Sequence, residues 1–144
     1  MVTWERNGHR RGHFNLSQIY SNDESSVAGD YDITDIAWNL NSRIMALVAK
    51  DNLAGCKLLV FTRSNYHWFR KNCLYFPSEI SKIEFSRKRE DLLTVIMKDG
   101  AINLLSFGFE YKIGSYSIPG NSYSSNSLAC MTDHDQLLVS PFGN

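Results

Sequence analysis

A chain of 144 residues, 43% hydrophobic, 21% charged and with no formal net charge, is long enough to bury a core as a single domain. Its composition excludes a disordered chain, and its apolar runs fall far short of the roughly 20 residues of a bilayer-spanning helix. Three cysteines, Cys56, Cys73 and Cys130, are odd in number, widely spaced and without a CxxC or CxxH pair. That pattern argues against a disulfide framework or a zinc site and reads them as small, mostly buried apolar residues.

The N-terminal MVTWERNGHRR sets Glu5 and several arginines where a secretory signal needs an apolar segment, so the expected compartment is the cytoplasm, with the nucleus as a second one. Val2 to Leu16 reads as a short strand, a turn at Asn7-Gly8 and a second segment entering at Phe14. Asn-Gly is a strong hairpin signal because a type I′ turn needs positive φ at both central residues. Ser21 to Asp30, acidic and rich in Ser and Gly, reads as a loop.

From Ile33 the pattern becomes that of strands. Ile36 and Trp38 alternate before a turn at Asn39 to Ser42, and Met45, Leu47 and Val48 form the next strand, ended by Asp51-Asn52. The stretch Leu58 to Phe76, around which the chain is organised, supplies two more strands joined at Ser64-Asn65, where Asn tolerates positive φ. Four strands in about 44 residues make one meander. The unit then repeats: Ile83–Ser86 overlays Ile36–Asn39, Leu93–Ile96 overlays Met45–Val48, and Ile102–Leu105 overlays Leu58–Phe61, at offsets of 47, 48 and 44 residues. Asp99-Gly100 is the turn between the second and third strands of this second unit. A third unit opens at Ser127 to Met131, turns at Thr132 to Asp135 and continues from Gln136 to Val139.

The fold class expected is all-β, a partial β-propeller of WD40-like blades built from antiparallel four-stranded meanders, with a compact sandwich as the competing arrangement. Residues 1–32 would hold the end of one blade plus the acidic loop, 33–76 and 80–117 a blade each, and 124–144 the start of the next. Trp38 and Phe85, each two residues after an isoleucine, are expected at equivalent positions on the inner faces of successive blades. A propeller ring takes about 4 to 8 blades. The chain therefore reads as a piece of a larger propeller, its end sheets open, and alone it should be marginally stable and prone to self-association.

Charge is segregated. Asp23, Glu24, Asp30, Asp32 and Asp35 stand together without a base, whereas Arg63, Arg70, Lys71, Lys82, Arg87, Lys88 and Arg89 outnumber Glu79, Glu84 and Glu90. Such segregation either orients a partner or attracts phosphate, or simply reflects solvated loops and strand edges. The run Tyr66-His67-Trp68-Phe69-Arg70-Lys71 interleaves aromatic and basic residues. On a strand Tyr66, Trp68 and Arg70 share one face and His67, Phe69 and Lys71 the other, so one aromatic set is core. The candidate interaction surface is Tyr66, Trp68 and Arg70 with Arg87, Lys88 and Arg89, able to stack bases and meet phosphates.

No arrangement for chemistry stands out. Of the four histidines, His9, His13, His67 and His134, the first two are four apart, but on a hairpin that spacing is too wide to chelate comfortably, and no metal site is expected. There is no nucleophile elbow and no Gly-rich phosphate loop, and Asp133-His134-Asp135 reads as a polar turn. No catalytic, cofactor-binding or metal residue is assigned, and no cofactor is expected.

Three segments carry a family resemblance. WERNGHRRGHFNL at Trp4 to Leu16 resembles a WERNGLRHGEF-type segment of the largest subunit of the Elongator complex (the IKAP family), and TRSNYHWFRKNCLYF at Thr62 to Phe76 resembles that family's W-T-x-x-N-Y-H-W-Y-x-K segment. LLVSPFGN at Leu137 to Asn144 is similar to its L-L-V-T-P-F segment. The chain departs from the pattern with Phe61 where Trp is common, Phe69 where Tyr is, and Gly12-His13 in place of Gly-Glu. The resemblance implies part of an N-terminal WD40-like double propeller in a scaffold subunit of a complex that modifies wobble uridines of transfer RNA. It also implies that another subunit performs the chemistry. The chain would be non-catalytic, with other Elongator subunits as protein partners, transfer RNA met at most indirectly, and neither membrane nor small-molecule substrate. The alternative reading is a nucleic-acid-binding β domain using the aromatic and basic surface.

Overall fold

A computed structural model describes residues 2–4, 7–13, 32–50, 55–65, 67–108, 113–118, 128–131 and 137–140, and every regular element among them is a strand. A hairpin of β1 (Val2–Trp4) and β2 (Arg10–His13) comes first. Next is a four-stranded sheet of β3 (Asp32–Trp38), β4 (Ile44–Lys50), β5 (Cys56–Ser64) and β6 (His67–Phe76). A second sheet holds β7 (Ile80–Phe85), β8 (Leu92–Met97), β9 (Ile102–Phe107) and β10 (Ile113–Ile118). A hairpin of β11 (Leu128–Met131) and β12 (Leu137–Ser140) closes the order. Within both larger sheets each strand pairs antiparallel with its neighbour in sequence, the meander that short turns dictate.

The turns follow local chemistry. Asn65, at φ 48°, joins β5 to β6, and Gly100, at φ 85°, joins β8 to β9, where the Asp99 carboxylate accepts the Ala101 amide at 2.9 Å. Ser42, at φ 56°, closes the β3–β4 turn and donates its amide to the Asn39 carbonyl at 3.0 Å. Asn7-Gly8 departs from the type I′ expectation. Trp4 pairs with Arg10, so the connection is longer than two residues, with Gly8 at φ 83° and Asn7 Oδ1 accepting the His9 amide at 3.1 Å. The second strand accordingly starts at Arg10 rather than at Phe14, which lies outside the described residues, as do the loop 21–30 and Asp133-His134-Asp135.

The ladders repeat with the predicted offsets. Trp38 faces Met45, which faces Phe61; Phe85 faces Leu93, which faces Leu105. Each first strand also carries an extra residue at the same place, Thr34 in β3 and Ser81 in β7. Bulges of this kind bend a strand and raise its local twist, so both sheets are shaped alike.

The two sheets stack face to face. Ile44, Ala46, Val48, Cys56, Leu58 and Val60 of the first meet Ile80, Ile83, Phe85, Leu93, Val95, Met97, Leu105 and Phe107 of the second in one buried cluster. The opposite face of the first sheet buries Met45, Leu47, Ala49, Leu59 and Phe61. Central strands buried on both faces read as continuous apolar runs, as IMALVA in β4 and LLTVIM in β8 do. Cys56 belongs to this core, but Cys73 does not: alternation along β6 leaves it on the exposed side, against the expectation of burial.

Candidate interaction surface

β6 carries the aromatic and basic run, and its register decides what each residue faces. Phe61 lies opposite Arg70 and Val60 opposite Asn72, so Lys71 is an extra residue, a bulge. Before the bulge, Trp68 and Arg70 share the face of Phe61; after it, Leu74 and Phe76 share the face of Leu58 and Cys56. Trp68 packs on Met45, Leu47, Ala49, Leu59 and Phe61 and meets Trp38 edge to face at 5.2 Å. The Arg63 guanidinium sits 6.0 Å from the Trp68 ring centre. The core-facing aromatic set is thus that of Trp68, whereas His67 and Phe69, in edge contact at 6.5 Å, are exposed with Lys71. Tyr66 lies outside the described residues.

Arg87, Lys88 and Arg89 occupy the exposed β7–β8 turn of the second sheet. Ser86 Oγ accepts the Lys88 and Arg89 amides at 3.1 and 3.0 Å and fixes the turn. Arg89 donates to both Asp91 carboxylate oxygens at 3.3 and 3.0 Å, and Ser106 Oγ donates to one of them at 3.0 Å. Arg89, more than Ser106, holds the Asp91 carboxyl below its ordinary range. The candidate residues therefore fall into two groups. Trp68 and Arg70 lie on the face of the first sheet turned away from the second, and Arg87, Lys88 and Arg89 lie on a turn of the second.

Three polar links across the seam between the sheets were not read from the sequence. Asp35 Oδ2 accepts the Ile83 amide at 2.9 Å. Asn39, 3% exposed, donates from Nδ2 to the Glu90 carbonyl at 3.1 Å while its Oδ1 accepts the Arg43 and Ile44 amides at 3.0 and 2.9 Å. Glu79 is bridged by Lys50 of the first sheet and Lys98 of the β8–β9 turn. These hydrogen bonds, Lys50 first and Lys98 second, pull its carboxyl down to about 2. The available signal was the 47-residue offset, which aligns Asn39 with Ser86, two side chains that each accept turn amides. Among the described residues no group of three or more His, Cys, Asp or Glu could hold a metal ion, and no helix is long and apolar enough to cross a membrane.

Four-stranded antiparallel meanders in chain order, repeating at 44 to 48 residues and stacked face to face over one apolar cluster, are blades, and they place the chain among the β-propellers. Comparison with known proteins narrows this: residues 1–111 match the family described as the ELP1 first N-terminal beta-propeller, and the chain belongs to that family. It is 28% identical over 115 residues, 79% of its length, to Elongator complex protein 1 of Saccharomyces cerevisiae. It is 26% identical over 141 residues, 98% of its length, to Elongator complex protein 1 of Schizosaccharomyces pombe. To the putative elongator complex protein 1 of Xenopus laevis it is 31% identical over 90 residues, 58% of its length. The chain spans only 7%, 10% and 7% of these three proteins, respectively.

Proposed function

We propose that the chain is a non-catalytic scaffold element of an Elongator complex, whose blades meet other Elongator subunits as protein partners. Its contribution to wobble-uridine modification of transfer RNA is positional, with transfer RNA met at most indirectly and the chemistry done by another subunit. It acts in the cytoplasm, with the nucleus as a second compartment. The observation that carries this reading is the family match over residues 1–111, on relatives named for the Elongator complex. In keeping with it, the aliphatic residues of β4, β5 and β8 are spent on core packing, Ile44, Ala46, Val48, Leu58 and Val60 against the second sheet and Met45, Leu47, Ala49 and Leu59 in the cluster on the opposite face.

The test is reconstitution. The full chain, tagged, is mixed with the purified remaining Elongator subunits and separated by size-exclusion chromatography. Co-elution in a fixed ratio is the expected result. A folded chain that elutes alone at every concentration tried would remove the scaffold reading, and turnover by the chain alone would remove the non-catalytic part of it.

A further inference from the structure

Trp38 and Trp68 stand on the two edge strands of the first sheet, β3 and β6, roughly 14 Å apart at about 4.8 Å per strand spacing. Their rings nevertheless meet edge to face at 5.2 Å, so both indoles lean inward over Met45 and Phe61, which are fully buried. Ile33 and Ile36 continue from Trp38 along β3 on the same face, opposite Ala49 and Leu47. Ile33, Ile36 and Trp38 are 36%, 44% and 43% exposed, an apolar strip about 15 Å long that ends in the tryptophan corner. At that corner the Arg63 guanidinium lies 6.0 Å from the Trp68 ring centre, and the Arg63 amide donates to the Arg43 carbonyl at 2.9 Å. Both arginine side chains are exposed.

We propose that this strip and corner bind a proline-rich protein segment in the polyproline II conformation, with a carboxylate beside the prolines. The hydrogen-bonding chemistry of the surface is one-sided. A Trp side chain has one N–H and no acceptor, and an Arg side chain has five N–H groups and no acceptor. Among the described residues, neither indole N–H of the pair and neither guanidinium of Arg43 and Arg63 is bonded to an acceptor. Proline is the converse: it offers a carbonyl and has no N–H. A proline-rich segment therefore presents acceptors where the surface presents donors, and such segments dock in grooves lined by aromatic rings. An added β-strand fits less well, since Asp35 Oδ1 already accepts the Ile36 amide at 2.8 Å and Oδ2 the Ile83 amide at 2.9 Å. The length of the strip matches about five residues of polyproline II at about 3.1 Å each. Arg43 and Arg63, without an ion-pair partner among the described residues, supply the charge that a carboxylate complements. Trp and Arg are also the residue types that dominate binding energy at protein interfaces.

This surface does not depend on the Elongator reading, and failure of the reconstitution would leave it standing. The probe is a fluorescein-labelled proline octamer ending in an Asp pair, titrated with the full chain by fluorescence anisotropy. Saturable binding is expected. Trp38→Ala should weaken it at least about thirtyfold, the loss that marks a binding hot spot, and Trp38→Phe, which keeps a ring and loses the N–H, by a smaller factor. Ile36→Ser and Arg63→Gln should each cost at least about threefold. With serine in place of the aspartates the Arg63→Gln loss should vanish, which assigns the arginine to the carboxylate. Tyr75→Ala removes an aromatic ring that is 63% exposed on the same face at the other end of the sheet, and should change affinity less than about twofold. Far-ultraviolet circular dichroism confirms that each variant is folded, and Trp38→Phe carries the test if Trp38→Ala is not. No saturable binding, equal losses in Tyr75→Ala and Trp38→Ala, or a glycine-for-proline peptide or oligouridylate bound as tightly as the proline peptide overturns the proposal.

Discussion

The carboxylate of Asp35 in β3 accepts the backbone amide of Ile83 in β7 at 2.9 Å, so a side chain of one sheet completes the hydrogen bonding of the next. The link falls where the strands need it. β7 is the edge strand of its sheet, and an edge strand presents backbone amides that no ladder partner takes up. Asp35→Ala removes the acceptor and leaves the Ile83 amide next to a buried side chain. A loss of about 1 to 3 kcal/mol in urea unfolding is expected, with Asp35→Asn costing less because one oxygen remains. Equal stability of Asp35→Ala and the parent chain would show the seam bond to be incidental.

Glu79 makes the same seam sensitive to acid. Its folded-state value of about 2 lies below the ordinary 4.5, so the contribution of its bridges to Lys50 and Lys98 is complete above pH 4.5 and drains away as pH falls from 4.5 towards 2. Glu79→Gln should flatten the acid limb of the stability profile across that window and leave the chain least different from the parent at its lower end. Because the carboxylate is solvent-exposed, added salt should shrink the difference above pH 4.5. A parent and variant whose urea midpoints stay parallel through the window would refute this assignment.

Trp38 and Phe85 occupy matching ladder positions, as their shared motif implies, yet Phe85 is 5% exposed and Trp38 43%. The expectation that both are inner-face core residues holds for Phe85 alone. Phe85 meets the first sheet and touches Phe107 at 6.2 Å, whereas Trp38 has Trp68 at its edge and solvent over much of the rest. Phe85→Ala should cost about 3 to 5 kcal/mol, and Trp38→Ala about 1 to 2, by the difference between a filled core site and a half-covered one. Near-equal losses in the two variants would mean that Trp38 is covered as fully as its counterpart.

The buried hydroxyl of Thr94 has no hydrogen-bond partner, and its ladder counterpart in the first sheet is Ala46. A polar atom enclosed without a partner is costly, so Thr94→Val should be neutral or stabilise the chain by up to about 2 kcal/mol. Thermal unfolding measures it, and a drop in Tm would reveal a role for the hydroxyl.

The repeat was legible because strand register is written in side chains. Three overlays chosen for apolar pattern, Trp38 on Phe85, Met45 on Leu93 and Phe61 on Leu105, are the pairings of the ladders themselves. Asn65 and Gly100 were legible as turns because few residues tolerate positive φ. What escaped reading has no compositional mark. Nothing in the residue types announces Thr34, Ser81 or Lys71 as extra residues, and period-two alternation carried through a bulge assigns the wrong face. The seam residues Asp35, Asn39 and Glu79 look like ordinary polar positions until a second sheet supplies their partners.

Lys71 gives the sharpest test of that reasoning. Trp68, Leu74 and Phe76 are all even-numbered and all half-buried, yet Trp68 lies on the face of Phe61 while Leu74 and Phe76 pack into the cluster shared with the second sheet. One inserted residue makes both assignments compatible. Replacing Lys71 by Ala changes an exposed side chain and keeps the count, so it should shift stability by less than about 1 kcal/mol. Deleting Lys71 removes the count. Either Trp68 and Arg70 must turn towards the second sheet, or Leu74 and Phe76 must leave it, since a one-residue slip reverses every side chain beyond it. The deletion should cost more than about 3 kcal/mol, comparable to emptying a core site, and should alter the near-ultraviolet circular dichroism of the Trp38–Trp68 pair if the slip takes the first course. A deletion variant that keeps both the parent's stability and its tryptophan signal would mean that β6 reaches its two faces by some route other than the bulge.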